Sequence, residues 1–171
     1  MTHRYLIALG SNVRHHRFGP PPRVLAAALA RLGKKDVAIE AVAPVMRSAP
    51  LGPSLRRYAN GAALVRTKRA PPELLALLKR TERKFGRRAG GRRWGSRVLD
   101  LDIVLWDGGA FAGPGLTIPH PAFRTREFVL RPARAIAPRW KDPLTGLTIR
   151  QLHARLTRPV PLPRAAAWWG P

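Results

Sequence analysis

The sequence contains no cysteine, which excludes disulfide bridges, thiolate metal sites and cysteine nucleophiles. Long hydrophobic runs are also missing. The most apolar stretches, residues 5–9 and 24–30, are too short to cross a bilayer, and the first is too short for the core of a signal peptide. We therefore expect a cytoplasmic protein without a membrane segment. With 171 residues, 45% of them apolar, the chain is long enough for one domain with its own core.

Acidic residues are scarce. The chain has 9 aspartates and glutamates against 32 lysines and arginines, a net charge of +23. Such a charge favours polyanionic partners, which include nucleic acids, anionic lipids and nucleotide phosphates. Any carboxylate or divalent-cation chemistry must use these acids, which are Asp36, Glu40, Glu73, Glu82, Asp100, Asp102, Asp107, Glu127 and Asp142.

The order of apolar segments predicts an α+β fold. Apolar runs bounded by turn residues predict strands over residues 4–9, 37–42, 58–67 and 99–106, with a loop over 43–57. Prolines followed by periodic leucines predict helices from residue 20 to 33 and from 71 to 85. The resulting β-α-β-β-α-β order is typical of a ferredoxin-like core, an antiparallel sheet with two helices on one face.

The C-terminal part is predicted to add loops and short helices to this core. Proline, arginine and leucine patterns favour helices over residues 121–126, 128–136 and 148–156, within a remainder of loops that starts at residue 113. We expect residues 1–160 to form a single domain and the Pro/Ala/Trp-rich residues 161–171 to form a loose tail.

Asp100 and Asp102 form the sharpest local motif. Alternate side chains of a strand share a face, so both aspartates point the same way while Leu99, Leu101 and Ile103 point into the core. A solvated strand face would explain two charges equally well in an ordinary chain. Here two of nine acids repel each other on one strand beside the densest basic segment, and a bound cation would relieve that repulsion. The pattern favours a Mg²⁺ site of two carboxylates completed by substrate phosphates.

The segment from Lys79 to Arg97 is strongly basic and contains a single acid, Glu82. Guanidinium groups suit phosphate oxygens, although many of these side chains would serve equally as a solubilising or nucleic-acid-binding surface. The glycines of residues 90–95 do not form a P-loop, because the lysine is missing and a strand follows where a helix is needed. A lone histidine more often has a packing or hydrogen-bonding role, but the prolines on both sides of His120 fix its backbone and modestly favour a positioned phosphate contact.

These pieces together resemble one family, the 6-hydroxymethyl-7,8-dihydropterin pyrophosphokinases of folate biosynthesis. The similar segments run in order along the chain from about residue 5 to 138. The most specific one is R-W-G-S-R-V-L-D-L-D-I at residues 93–103. The others are I-A-L-G-S-N at 7–12, S-A-P-L-G-P at 48–53, Y-A-N at 58–60, I-P-H-P at 118–121 and R-E-F-V-L at 126–130.

The resemblance implies a ferredoxin-like fold and transfer of the β,γ-pyrophosphoryl group of ATP to the hydroxymethyl group of the pterin, with release of AMP. It implies that two Mg²⁺ ions bound by Asp100 and Asp102 bridge the triphosphate and the acceptor hydroxyl. The resemblance implies that the phosphates are contacted by Arg87, Arg97, His120 and Arg126. It places Arg93 and Trp94 in a mobile catalytic loop, and Glu82 and Ile103 near the nucleotide. The residues that the resemblance implies for contacts with the pterin are Ser48, Pro50, Leu51, Tyr58, Asn60 and Phe128.

The chain departs from the family pattern at a few positions. Family members usually carry threonine at Ser48, a glutamine or similar polar residue at Lys79, arginine at Ala89 and an acid at Arg134. These changes are the basis of an alternative hypothesis, in which the protein is a diverged relative that binds pterin or acts on another pterin alcohol. A basic RNA-binding module with the same strand order is a further alternative, although residues 59–65 lack the aromatic side chains it needs. We expect a monomer with small-molecule substrates, whose basic surface binds nucleic acid non-specifically at most.

Overall fold

The computed structural model describes residues 1–48, 57–86 and 97–159. Its main sheet contains five antiparallel strands: β1 His3–Ser11, β2 Val37–Val42, β3 Met46–Ser48, β4 Tyr58–Thr67 and β5 Asp100–Trp106. Four of them lie in the order β2-β4-β1-β5, and β3 pairs with the beginning of β4. This is the ferredoxin-like arrangement, so the predicted fold class is confirmed.

Helices α1 (Pro21–Gly33) and α2 (Pro71–Lys84) cover one face of the sheet. Both have proline in the first turn, where the missing N–H removes no helical hydrogen bond. Their apolar sides pack on Tyr5, Ile7 and Leu9 of β1 in the larger core cluster. The prediction of two helices on one face is therefore confirmed.

The C-terminal helices, α3 (Glu127–Ile136) and α4 (Ile149–Leu156), cover the opposite face. They form a second core with Leu6 of β1 and Ala62 of β4. Strand β1 is thus buried on both faces, which explains why residues 5–9 are continuously apolar rather than alternating.

Two strand pairings of the structure were not predicted from the sequence. Strand β3 falls within residues 43–57, and its Ser48 pairs with Tyr58. A hairpin of β6 (Phe111–Gly113) and β7 (Leu116–Ile118) turns at Gly115, whose φ of 70° suits glycine. Three-residue strands leave too little alternation in a sequence to be recognised. The helix predicted over 121–126 is reduced to one short 3₁₀ turn at Phe123–Thr125.

A bulge interrupts the pairing of β1 with β5. Leu6 pairs with Leu105 and Ile7 pairs with Ile103, which leaves Val104 as the extra residue on β5. The bulge moves Val104 and Leu105 into the second core, while Leu101 and Ile103 stay in the first.

No helix within the described ranges is both long and apolar enough to cross a membrane.

Candidate active site

A pocket of about 300 Å³ opens where β1, β4 and β5 meet the start of α3. It lies on the sheet face that α3 and α4 cover. The lining contains two carboxylates, two guanidinium groups, an imidazole, an amide and two aromatic rings. Its residues are Ala8, Leu9, Gly10, Ser48, Tyr58, Asn60, Arg97, Asp100, Asp102, His120, Arg126, Phe128 and Val129.

The floor of the pocket is made of small residues on the central strand. Gly10 of β1 pairs with Asn60 on one side and with Asp100 on the other. A Cβ on Gly10 would lie 3.8 Å from both the Asn60 Oδ1 and the Asp100 Cβ. Because Gly10 has no side chain, the space between these two polar groups stays open.

Asp100 and Asp102 both line the pocket, while Leu99, Leu101 and Ile103 lie in the core. The predicted division of the strand into a polar and an apolar face is therefore confirmed. Each aspartate also has a cation of the chain beside it. Arg97 Nη1 lies 2.6 Å from Asp100 Oδ2, and Lys79 Nζ lies 3.6 Å from Asp102 Oδ1. The repulsion that we expected a metal to relieve is already reduced by these two side chains.

Arg97 is fixed through its backbone as well as its side chain. Its N–H donates to the Asn12 Oδ1 over 2.7 Å, and its carbonyl accepts from the Asn12 N–H over 3.0 Å. Asn12 directly follows β1, so this pair of bonds ties the end of β1 to the segment that enters β5. Together with the bond to Asp100, it directs the guanidinium into the pocket. Burial acts to lower the pKa of Arg97, but Asp100 and Asp102 outweigh this effect and raise it.

His120 reaches the pocket from a distant part of the sequence. Its Nδ1 accepts a hydrogen bond from the Ala122 N–H over 3.2 Å, which leaves Nε2 as the nitrogen that carries the proton of a neutral ring. Burial lowers the pKa of His120 from its ordinary value despite the opposing influence of Asp102. At neutral pH the ring is therefore an uncharged hydrogen-bond donor in the pocket wall.

The remaining predicted substrate contacts within the described residues also line the pocket. Tyr58 and Phe128 both line it, and the Arg126 guanidinium lies 5.7 Å from the centre of the Phe128 ring. Asn60 is only 4% exposed, and its Nδ2 donates to the Ser48 Oγ over 2.8 Å. This bond joins β4 to β3 and fixes the orientation of the amide at the pocket edge.

Two predicted nucleotide contacts are not brought into the pocket. The side chain of Ile103 lies in the core beneath α1 and α2. Glu82 is 1% exposed, and its Oε1 accepts from the Leu101 N–H over 2.7 Å and from the Lys79 Nζ over 3.0 Å. Its observed contacts thus support the edge of β5. Five predicted site residues lie outside the described residues: Pro50, Leu51, Arg87, Arg93 and Trp94.

Sequence reasoning missed some residues that shape the pocket. Ala8, Gly10 and Val129 line it, and Asn12 holds Arg97 in place. Small residues at the end of a buried strand beside two polar strands were the available signal for the floor. Asn12 ends the family-like segment at residues 7–12, but no local pattern identifies its partner, which lies 85 positions away.

The donors present are suited to magnesium. Asp100 and Asp102 supply hard carboxylate oxygens on one face and remain partly exposed. The described ranges contain no group of three or more His, Cys, Asp or Glu side chains that could enclose a metal alone. Such a pair fits an ion that takes its remaining ligands from water and from a phosphorylated substrate.

Residues 6–138 match the family profile described as 7,8-dihydro-6-hydroxymethylpterin-pyrophosphokinase. The chain belongs to this pyrophosphokinase family. It is therefore an enzyme of folate biosynthesis that transfers pyrophosphate from ATP to 6-hydroxymethyl-7,8-dihydropterin, as the sequence resemblance predicted. The family assignment does not favour the alternative of an RNA-binding module.

Curated relatives of this pyrophosphokinase carry the same activity in their names. The chain is 39% identical over 151 residues to the 2-amino-4-hydroxy-6-hydroxymethyldihydropteridine pyrophosphokinase of Synechocystis sp., covering 88% of this chain and 74% of that protein. It is 38% identical over 139 residues to the enzyme of the same name from Pseudomonas aeruginosa, covering 81% and 83% of the two chains.

Solved structures similar to this pyrophosphokinase share its fold at low sequence identity. The wild-type Plasmodium falciparum HPPK-DHPS with pteroate superimposes with a TM-score of 0.69 at 13% identity. The match covers 91% of this chain and 42% of that one, so the present chain spans less than half of that longer protein.

Proposed function

We propose that the pocket between β1, β4, β5 and α3 is the active site of this pyrophosphokinase. The observation that carries the proposal is the convergence on one cavity of two aspartates, two arginines, two aromatic rings and an amide: Asp100, Asp102, Arg97, Arg126, Tyr58, Phe128 and Asn60. A volume of about 300 Å³ suits one small heterocycle and its hydroxymethyl group. The guanidinium groups would then contact the polyphosphate, and the aromatic rings would contact the pterin.

Tyr58 and Phe128 would hold the flat pterin ring by stacking, and Asn60 would recognise its polar edge. The bond from Asn60 to Ser48 keeps the amide in one orientation before the substrate arrives. Because a buried amide without partners is unfavourable, a ring lacking the matching polar edge would bind poorly.

Arg97, Arg126 and His120 would bind the phosphate oxygens of ATP. The two guanidinium groups supply charge, and the neutral His120 ring supplies an N–H donor. Arg97 already contacts Asp100, so it is held beside the carboxylates before the nucleotide binds. Groups fixed in this way stabilise charge that develops during phosphoryl transfer without having to reorganise.

Asp100 and Asp102 would hold two Mg²⁺ ions together with the triphosphate. When bound, the ions would offset the charge on the phosphate oxygens and lower the barrier to attack by the hydroxyl. The role of the chain would be to orient the acceptor oxygen of the stacked pterin toward the β-phosphorus of ATP, from which AMP departs as the leaving group.

The activity is tested by incubating the protein with ATP, Mg²⁺ and reduced 6-hydroxymethylpterin and measuring AMP. Asp100→Asn and Asp102→Asn should each reduce kcat by at least about 100-fold while leaving the circular dichroism spectrum unchanged. Asp36→Asn is the matched control, since the Asp36 side chain is 92% exposed and remote from the pocket lining. Full turnover by the Asp102 variant would rule out the assigned site, and turnover of a different pterin alcohol only would favour a diverged relative.

A further inference from the structure

Lys79 contacts three oxygen atoms beside the aspartate pair, and the proposed function gives it no role. Its Nζ lies 3.0 Å from Glu82 Oε1, 3.1 Å from the Leu101 carbonyl oxygen and 3.6 Å from Asp102 Oδ1. The lysine projects from the last part of α2 toward the outer edge of β5. It therefore contacts the strand between the two aspartates.

Lys79 and Glu82 together satisfy both backbone groups of Leu101. The Glu82 carboxylate accepts from the Leu101 N–H, and the Lys79 ammonium donates to the Leu101 carbonyl. These are the two groups that a further strand would otherwise bind. The pair fixes Leu101, and with it the backbone that carries Asp100 and Asp102 on either side.

The Lys79–Glu82 pair has a buried negative member and a partly exposed positive member. Glu82 is 1% exposed and lies on the helix side of the ammonium, whereas the Lys79 and Asp102 side chains are 32% and 35% exposed. The positive member of the pair is beside Asp102, because the Lys79 Nζ lies 3.6 Å from the Asp102 Oδ1. It lowers the negative potential at Asp102, as Arg97 lowers it at Asp100.

We propose that Lys79 is a positioning residue that holds Asp102 and weakens the affinity of the aspartate pair for a divalent cation in the absence of nucleotide. The inference depends on the proposed function, because it takes Asp100 and Asp102 as the metal ligands. A divalent ion arriving alone meets two carboxylates that are already partly neutralised. An ion arriving with a triphosphate brings additional oxygen ligands and negative charge, so it overcomes the effect of Lys79.

The test measures binding of Mn²⁺, alone and with a non-hydrolysable ATP analogue, by electron paramagnetic resonance of the free ion. Lys79→Gln should bind Mn²⁺ alone about tenfold more tightly than the wild type, the size expected for one unit charge about 6 Å from a divalent ion in a water-like dielectric. Lys79→Arg keeps the charge and should bind as the wild type does. Lys84→Gln removes an exposed charge from the same helix and should also have no effect.

Removing Lys79 leaves the buried Glu82 carboxylate with less compensation, so the single variant could lose stability. The double variant Lys79→Gln/Glu82→Gln removes both charges and should also bind Mn²⁺ more tightly than the wild type, although by less than tenfold. Unchanged or weaker Mn²⁺ binding in both variants would overturn the role of Lys79 and leave the proposed function standing. A wild type that binds no Mn²⁺ even with the analogue would overturn the metal site, and the inference with it.

Discussion

The backbone N–H of His120 donates to the carbonyl oxygen of Val104 over 3.0 Å. Val104 is the extra residue of the bulge in β5, two positions after Asp102. A bulge leaves one residue outside the regular ladder, and here its carbonyl serves as an anchor for a segment from beyond the β6–β7 hairpin. The bond explains how a histidine far along the chain comes to share a pocket with the aspartates.

The environment of His120 predicts a pH dependence of stability. Burial lowers the pKa of His120 in the folded protein, so the unfolded chain binds this proton at a higher pH. The free energy of unfolding should therefore fall as pH drops below about 6.5, the ordinary histidine value, toward the lowered pKa. His120→Gln should lose less stability than the wild type over this range.

Urea unfolding of both proteins between pH 8 and pH 5 measures this difference. His15, whose pKa burial also lowers, is present in both proteins and cancels in the comparison. Parallel stability curves for the two proteins would contradict the assignment of a neutral His120 ring.

Gly10 should be replaceable only by the smallest side chain. A Cβ would make ordinary contacts of 3.8 Å with Asn60 and Asp100, so Gly10→Ala should fold and keep measurable activity. Gly10→Val extends into the pocket and should raise the KM for the pterin about tenfold or more. Steady-state kinetics with each substrate in excess separates this effect from a loss of kcat.

Gly61 supplies a matched control for Gly10 in the neighbouring strand β4. A Cβ there would lie 3.8 Å from the Leu25 Cδ1, in the core beneath α1. Gly61→Val should therefore reduce stability while leaving the KM for the pterin unchanged. Equal KM values for the two valine variants would show that Gly10 does not form the pocket floor.

Orientation of the Asn60 amide should depend on the Ser48 hydroxyl. Ser48→Ala removes the acceptor of the 2.8 Å bond and should lower kcat/KM for the pterin about threefold to tenfold, the usual contribution of one hydrogen bond. Asn60→Ala removes the recognition group itself and should lower it by about 100-fold or more. Ser48→Thr retains the hydroxyl and should restore wild-type kinetics, whereas a loss equal to that of Ser48→Ala would exclude the hydrogen bond as the cause.

Much of this architecture could be predicted because the relevant signals are local. Residues 37–42 and 58–67 became β2 and β4 with the predicted bounds, and the alternation around Asp100 and Asp102 assigned the faces of β5 correctly. The bulge at Val104 and the two hydrogen bonds between Asn12 and Arg97 could not be predicted in the same way. Both depend on hydrogen bonds of the backbone between segments far apart in sequence, and a hydropathy pattern does not indicate which segments will pair.

The family resemblance, rather than a local pattern, implies that Glu82 lies near the nucleotide. The structure buries Glu82 against the Leu101 N–H, a contact that the sequence does not indicate. Its role at the strand edge therefore has to be tested through stability as well as through ATP binding.

Glu82→Ala should destabilise the protein by about 3 kcal/mol, because it leaves the Leu101 N–H without its acceptor and the Lys79 ammonium without its closest carboxylate. Glu82→Gln keeps an acceptor oxygen and should have a smaller effect, about 1 kcal/mol. Glu73→Ala is the matched control in the first turn of α2, where Glu73 Oε2 accepts from the Ala70 N–H, and should destabilise by about 1 kcal/mol. Urea unfolding measures all three, and a Glu82→Ala variant of wild-type stability with a raised KM for ATP would instead establish the nucleotide contact.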